Sequence, residues 1–191
     1  MDFGTNNILI TGANGWLGRT LIKSLVFGLD KSKDFGRPQK NLKIKCLILP
    51  GENADFIASQ SQSNNIKIFY GDITNPKDCE IFMKNSKGAI LFHCAGIIHP
   101  KKVKHFYDIN VYGTENILIS AVKNRVKKAI IVSSNSPCGV NPNKEHVFDE
   151  KCEYNPYLNY GKSKMIMEKL VKDYVKKGLI EAVIIRPPWF Y

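Results

Sequence analysis

The sequence predicts an α/β fold: a doubly wound, mostly parallel sheet with helices on both faces. Three observations predict it. Short, uninterrupted apolar runs recur along the chain, as in strands buried on both faces. Longer segments with helical periodicity alternate with them, the order that builds parallel sheets. The first apolar run feeds a glycine-rich turn that opens a helix.

The elements follow in chain order. Asn7 to Thr11 reads as a short buried strand. Gly12, Gly15 and Gly18 punctuate the turn after it, and Leu17, Leu21, Ile22, Leu25 and Val26 recur at helical spacing. Gly28 to Asn41 is polar, contains Gly36 and Pro38, and reads as a surface insertion. Strands are predicted over Ile44 to Leu49, Ile66 to Tyr70 and Ala89 to His93. A long helix is expected from about Tyr107 to Asn124, then a strand over Ala129 to Ser133. A second long helix should run from near Tyr157 to Lys177, before a last strand over Ala182 to Ile185. No internal repeat or low-complexity segment interrupts the series.

The chain has 191 residues, 43% of them hydrophobic, enough for one domain or for one domain and the start of another. No run approaches the length of a membrane span, and the N-terminus lacks the basic start and apolar stretch of a signal peptide. A cytoplasmic setting without membrane contact is therefore expected. The five cysteines show no C-x-x-C pair, and Cys46 and Cys94 fall in apolar runs as small core residues. The four histidines form no ligand pattern, so no metal is expected. The net charge of +11 is spread along the chain and not interleaved with aromatics. That pattern describes solvated lysine faces rather than a nucleic-acid stripe, although a positive field attracts anionic nucleotides.

The glycine turn carries the first functional signal. In a dinucleotide-binding turn the first glycine permits the tight bend, the second admits the pyrophosphate, and the third lets helix and strand pack closely. The helix N-terminus then offers free N–H groups to phosphate. The spacing here is G-x-x-G-x-x-G. Asp72, after the third strand, could accept from an adenine amino group; Thr74 or Asn75 is the better helix cap before Pro76.

The second signal is catalytic. Tyr160 and Lys164 lie four apart on a predicted helix and share a face. A phenol is a poor base at neutral pH, and a nearby ammonium favours its ionised form. Such a pair can move a proton on a hydroxyl or carbonyl. Ser133 and Ser134 end the fifth strand, on the side where ligands bind parallel sheets. Asn110 falls inside a predicted helix, where asparagine is a poor fit without a specific role.

Seven stretches come together in one order: Thr11-Gly-Ala-Asn-Gly-Trp-Leu-Gly18, Gly71-Asp-Ile-Thr74, His93-Cys-Ala-Gly96, Asn110-Val-Tyr-Gly-Thr-Glu-Asn116, Val132-Ser-Ser-Asn-Ser136, Tyr160-Gly-Lys-Ser-Lys164 and Arg186-Pro-Pro-Trp-Phe-Tyr191. In this the chain resembles the extended short-chain dehydrogenase/reductases, the NAD-dependent epimerase/dehydratase kind. The resemblance implies a Rossmann-like NAD(P)-binding domain over residues 1–191, truncated before a substrate domain. It implies that Gly12, Gly15 and Gly18 line the pyrophosphate, that Trp16 and Leu17 between them also bind the cofactor, and that Asp72 and Ile73 flank the adenine. Ala95 and Gly96 would lie beside the cofactor, and Pro187 near the nicotinamide. Tyr160 would be the acid/base. Lys164 would bind the nicotinamide ribose and lower the tyrosine pKa. Ser134 would orient the substrate, with Ser136 as fallback.

The implied activity is NAD(P)-dependent epimerisation, dehydration or reduction, most readily of a nucleotide sugar, by hydride transfer. The alternative is a non-catalytic NAD(P)-binding module. The resemblance also implies a homodimer paired through the two long helices. Two positions depart from the pattern. The second strand ends Leu47-Ile48-Leu49-Pro50, with neither the acid that suits NAD nor the arginine that suits NADP. Pro137-Cys138-Gly139 stands where many members have Val-Tyr-Gly.

Overall fold

The structure, a computed structural model, describes residues 4–29, 41–61 and 65–188. The central part of the Gly28–Asn41 insertion and the closing Trp-Phe-Tyr of the last motif lie outside the described residues. The elements are β1 (Asn7–Thr11), α1 (Trp16–Phe27), β2 (Lys43–Ile48), α2 (Asp55–Ser59), β3 (Asn65–Tyr70), α3 (Pro76–Met83) and β4 (Ile90–His93). There follow α4 (Lys104–Tyr107), a π-helical segment (Asp108–Gly113), α5 (Thr114–Lys123), β5 (Lys128–Val132), a 3₁₀ turn (Ser136–Cys138), α6 (Asn159–Lys176) and β6 (Glu181–Ile185). All six predicted strands are present, within a residue or so of their expected bounds.

The strands form one parallel sheet in the order β3-β2-β1-β4-β5-β6. The order reverses between β1 and β4, whose last residues pair as Thr11↔His93. Ligands of such sheets bind at the carboxyl ends of the strands where the order reverses. The alternation of side chains across each strand then divides the core in two. On one face Ile8, Ile10, Ile44 and Cys46 pack against Ile22, Leu25 and Ile57 from α1 and α2. On the other, Leu9, Leu47, Leu91 and Ile131 meet Phe82, Ile117, Leu118, Met167 and Val171 from α3, α5 and α6.

The structure departs from the sequence reading in the helices. The expected Tyr107–Asn124 helix starts earlier, at Lys104, and widens into a π turn around Asn110. Extra residues in such a turn are frequent at functional sites. Two helices lack a periodic signal because they are only one or two turns long. In α3, the Asn75 side chain accepts from Lys77 N at 3.0 Å with Pro76 at the first helical position, the capping arrangement expected there.

Candidate active site at the carboxyl ends of the strands

The glycine turn closes the end of β1. Gly12 has φ +62, and a Cβ there would stand 2.7 Å from Ala95 N. It therefore serves both the bend and the close approach of β1 to the segment leaving β4. A Cβ on Gly18 would stand 2.3 Å from Gly12 O, so the third glycine lets α1 pack onto the turn. Gly15 differs: its Cβ would meet only Gly12 O, at 3.3 Å, and the rest of its surroundings is open. Trp16 is exposed and Leu17 half-buried at the helix start. The bend at Gly12 and the close helix packing at Gly18 thus have their physical cause in backbone that stands where a side chain would be.

At the end of β3, the Asp72 carboxylate accepts from Thr74 N at 2.8 Å, and Asp72 N donates to Asp78 at 2.9 Å. Asp72 shapes the turn, while Asn75 caps the helix. Ile73 is buried with its side chain against Gly113, where a Cβ would be 2.7 Å away. At the end of β2 the structure supplies a group that the strand sequence lacked. The Glu52 carboxylate folds back to accept from Leu49 N at 3.2 Å. An acid four residues past the strand thus stands at the end of β2. The sequence signal was the Pro50-Gly51 turn that returns Glu52 to the strand end.

Tyr160, Lys164, Ser134 and Asn110 converge beyond β4 and β5. The Tyr160 phenol lies close enough to the Ser134 hydroxyl to feel it electrostatically, and its ring lies 6.1 Å from that of Phe106. The Ser134 hydroxyl is 3.0 Å from that of Ser136, so the preferred and the fallback serine occupy one cluster. Lys164 is 4% exposed and donates to Val132 O at 3.0 Å. Its Nζ and Asn110 Oδ1 both approach Gly96, where a Cβ would stand 3.2 and 3.1 Å from them. Asn110 clamps Ile97 through both its groups, at 2.9 and 3.1 Å, and donates to Ser163 at 3.0 Å. The π turn is what gives this asparagine its specific place. Pro187 O accepts from Asn135 N at 3.3 Å, which puts Pro187 at the same end of the sheet.

One expectation is corrected. Burial holds the Tyr160 phenol above its ordinary value, and only the nearby Ser134 hydroxyl opposes it. Lys164 makes no contribution to it here; its ammonium donates to Val132 O. Burial instead lowers the Lys164 ammonium to about 8, with Glu168 and Cys94 opposing.

Two polar networks that the motifs did not reveal support the site. In the first, Thr114 Oγ1 gives its one hydrogen to Asn110 O at 2.8 Å, so it must accept from His93 Nε2 at 2.9 Å. His93 Nδ1 then accepts from Thr11 Oγ1 at 2.7 Å, and Thr11 accepts from Ala95 N at 3.3 Å. Every hydrogen is used only if the imidazole is neutral. Burial and the nearby Lys164 push its pKa down to about 3, in agreement. In the second, Glu168 is fully buried and accepts from Ser133 at 2.6 Å, Tyr154 at 2.9 Å and Arg186 at 2.6 Å. Burial pushes the Glu168 carboxyl up, but these donors outweigh it and hold the group below the usual carboxylate range. Ser133 is thereby a structural serine and Ser134 the one facing the tyrosine. Cys138 and Cys152 form a disulfide, a pair that spacing alone did not single out.

A parallel sheet with a glycine turn at its point of reversal, and a Tyr–Ser–Lys group beside it, defines a dinucleotide-binding protein of the short-chain dehydrogenase/reductase kind. The sequence model of the NAD dependent epimerase/dehydratase family matches residues 8–191. The chain belongs to that family, whose cofactor is NAD. Among its relatives, the uncharacterized protein y4nL of Sinorhizobium fredii is 38% identical over 185 residues, 96% of this chain and 50% of that protein. UDP-glucose 4-epimerase of Vibrio cholerae is 28% identical over 191 residues, 97% of this chain and 52% of that enzyme. The UDP-Glc/GlcNAc 4-epimerase of Campylobacter jejuni shares the fold with a TM-score of 0.76 at 22% identity, over 94% of this chain and 52% of that one. The chain thus spans about half the length of the relatives it matches. Among the described residues no helix is long and apolar enough to cross a membrane.

Proposed function

We propose that this chain is the cofactor-binding and acid/base portion of an NAD-dependent epimerase, dehydratase or dehydrogenase acting on a nucleotide sugar. The observation that carries the reading is the meeting of Tyr160 and Ser134 beyond β5, with Lys164 and Asn110 held against Gly96 beside the glycine turn. The nucleotide-sugar class is supported by relatives such as the UDP-glucose 4-epimerase of Vibrio cholerae.

The residues act as follows. The turn at Gly12–Gly18 presents open backbone around Gly15 and the α1 N-terminus to a pyrophosphate. Glu52 at the end of β2 suits ribose hydroxyls and disfavours an added phosphate, so NAD is preferred to NADP. A nicotinamide held there would supply the hydride-transfer chemistry. The Ser134 hydroxyl orients a substrate oxygen beside the Tyr160 phenol. Burial keeps that phenol protonated, so it starts as the acid toward a carbonyl oxygen; taking a proton back from a hydroxyl is the reverse step. Lys164, held against Gly96, is placed to hold the nicotinamide ribose.

Tyr160→Phe in the whole protein tests this. Turnover should fall at least about a hundredfold, the contribution of a positioned acid/base, with NAD affinity nearly unchanged. Turnover retained in that variant would remove Tyr160 from the chemistry and the proposal with it.

A further inference from the structure

The segment between the 3₁₀ turn and α6, residues 139–158, contains no helix or strand. Loops of this length without structure of their own are uncommon in compact domains and usually functional. This one leaves directly from Ser134 and Ser136 and returns directly into Tyr160. Its two ends are pressed together: Asn155 N donates to Pro137 O at 2.9 Å, and a Cβ on Gly139 would stand 2.3 Å from Asn155 O. The Cys138–Cys152 bond closes the segment across a sequence separation of 14, with the two Cα atoms 6.0 Å apart. Cys138 is buried and Cys152 half-buried.

Arg186 makes the pair distinctive. Its Nε and Nη2 grip Glu168, which leaves Nη1 facing the sulfurs, 3.3 Å from Cys152 and 3.7 Å from Cys138. A cation so placed favours thiolate over thiol, the form that enters exchange. Cys138 also lines a groove of about 700 Å³, with Phe148, Asp149 and Glu150 on the strap side and Ile184 and Arg186 on the sheet side. Cys46 and Cys79 are different. Both are buried, and burial pushes their thiols up to about 12.

We propose that Cys138 and Cys152 are a reversible thiol–disulfide site that fastens the 139–155 strap beside Ser134 and Tyr160, and so couples the substrate side of the site to the redox state of the surrounding thiols. Closing the bond takes two thiols to one disulfide. Two protons and two electrons go to a small-molecule disulfide such as oxidised glutathione, which leaves as two thiols; glutathione reverses the step through a mixed disulfide at Cys152. The opened strap keeps its Asn155–Pro137 contact but loses its tie at residue 152. The glycine turn lies at the ends of β1 and β4 and does not share the strap. The consequence for substrate rests on the function proposed above; the site itself does not.

The test equilibrates the purified chain in glutathione buffers from fully reduced to fully oxidised, traps free thiols by alkylation and maps them by mass spectrometry. Amide hydrogen exchange is followed in the same samples. The expected result is a single two-electron transition joining residues 138 and 152, with Cys46 and Cys79 alkylated only after unfolding. Reduction should speed exchange across 139–155 at least about tenfold while leaving residues 11–18 unchanged. Cys152→Ser should show the fast exchange in every buffer, and reduced wild-type protein supplies the same comparison if that variant does not fold. Free thiols at both positions in the fully oxidised buffer would overturn the proposal, and so would a bond whose reduction leaves the strap's exchange unaltered. These readouts need neither cofactor nor substrate. A failed Tyr160→Phe test would therefore leave the thiol site standing, and the converse also holds.

Discussion

Lys164 should cost the folded chain stability, and replacing it should show how much. The side chain is 4% exposed, and burial lowers its ammonium from 10.5 to about 8. At about 1.4 kcal/mol per pH unit, the charged form is disfavoured in the fold by about 3 kcal/mol. Below pH 8 the folded and unfolded chains both hold the proton, so the whole cost is present. Between 8 and 10.5 the unfolded chain holds the proton while the folded chain has released it, and stability rises with pH from this group. Lys164→Met keeps the length and apolar stem but leaves Val132 O without its donor, a loss of about 1 kcal/mol. The variant should be more stable than wild type by about 2 kcal/mol at pH 7.5. That is a rise in Tm of roughly 4–8 °C for a chain of this size. By pH 9.5 the gap should nearly close. Urea unfolding of both proteins at the two pH values measures it. The difference between them cancels the buried cysteines Cys46 and Cys79, whose raised pKa values work in the opposite direction over the same range. A variant less stable than wild type at pH 7.5, or a gap that does not narrow, would show that Lys164 is compensated inside the fold.

Three further outcomes follow from the same geometry. His93 is held neutral with its pKa at about 3, so the unfolded chain binds a proton there below about pH 6.5 that the folded chain refuses. Stability from this group should fall by about 2 kcal/mol from pH 7.5 to pH 5; a His93 imidazole NMR signal that titrates near 6.5 in the folded chain would contradict it. Gly18→Ala pushes a methyl against Gly12 O and should cost about 1–3 kcal/mol, whereas Gly15→Ala should fold normally and lose at least about tenfold in NAD affinity; thermal unfolding and NAD titration of the pair separate the roles, and equal loss of stability in both would defeat the assignment. NAD at a hundredfold excess over its Kd should stabilise the chain by about 2.7 kcal/mol, and NADP at the same concentration by less; an equal or larger NADP shift would remove Glu52 from the ribose site.

The parts legible in the sequence were those with a period or a punctuation mark. Ile8-Leu9-Ile10 is a strand because nothing polar interrupts it, and Gly12 and Gly18 are glycines because backbone stands within 3 Å of their absent side chains. Tyr160 and Lys164 share a helix face by spacing alone. What spacing could not show was the direction of a flexible side chain. Lys164 has four carbons of reach, and its bond to Val132 O depends on where α6 sets it against the end of β5. Glu52 was hidden for the same reason: its role comes from a turn that brings it back to Leu49. Asn110 was legible as an anomaly, a poor helix residue in a helix, but the π turn that accommodates it has no local sequence code. The pairing of Cys138 with Cys152 depends on how a segment without repeating structure folds back, and no periodic signal reaches that far.

The site is held in register by one helix. Tyr160, Ser163, Lys164 and Glu168 lie at spacings of three, four and eight, which puts all four on one face of α6. Each engages a different part of the protein. Tyr160 meets Ser134 beyond β5, Ser163 accepts from Asn110 in the π turn, Lys164 donates to the end of β5, and Glu168 binds Ser133, Tyr154 and Arg186. A rotation of α6 large enough to move the phenol away from Ser134 would have to break a buried carboxylate–guanidinium pair and the Asn110–Ser163 bond together. Breaking such a pair alone costs about 3–5 kcal/mol. Asn110 in turn is tied through Thr114, His93 and Thr11 to Ala95, the residue against which Gly12 is packed. The phenol and the glycine turn are therefore positioned by one continuous set of buried polar contacts. Its imidazole, barred from protonation, and the buried Lys164 ammonium beside it are the costly groups, and both stand at the carboxyl ends of the strands, where the apolar core gives way to the site.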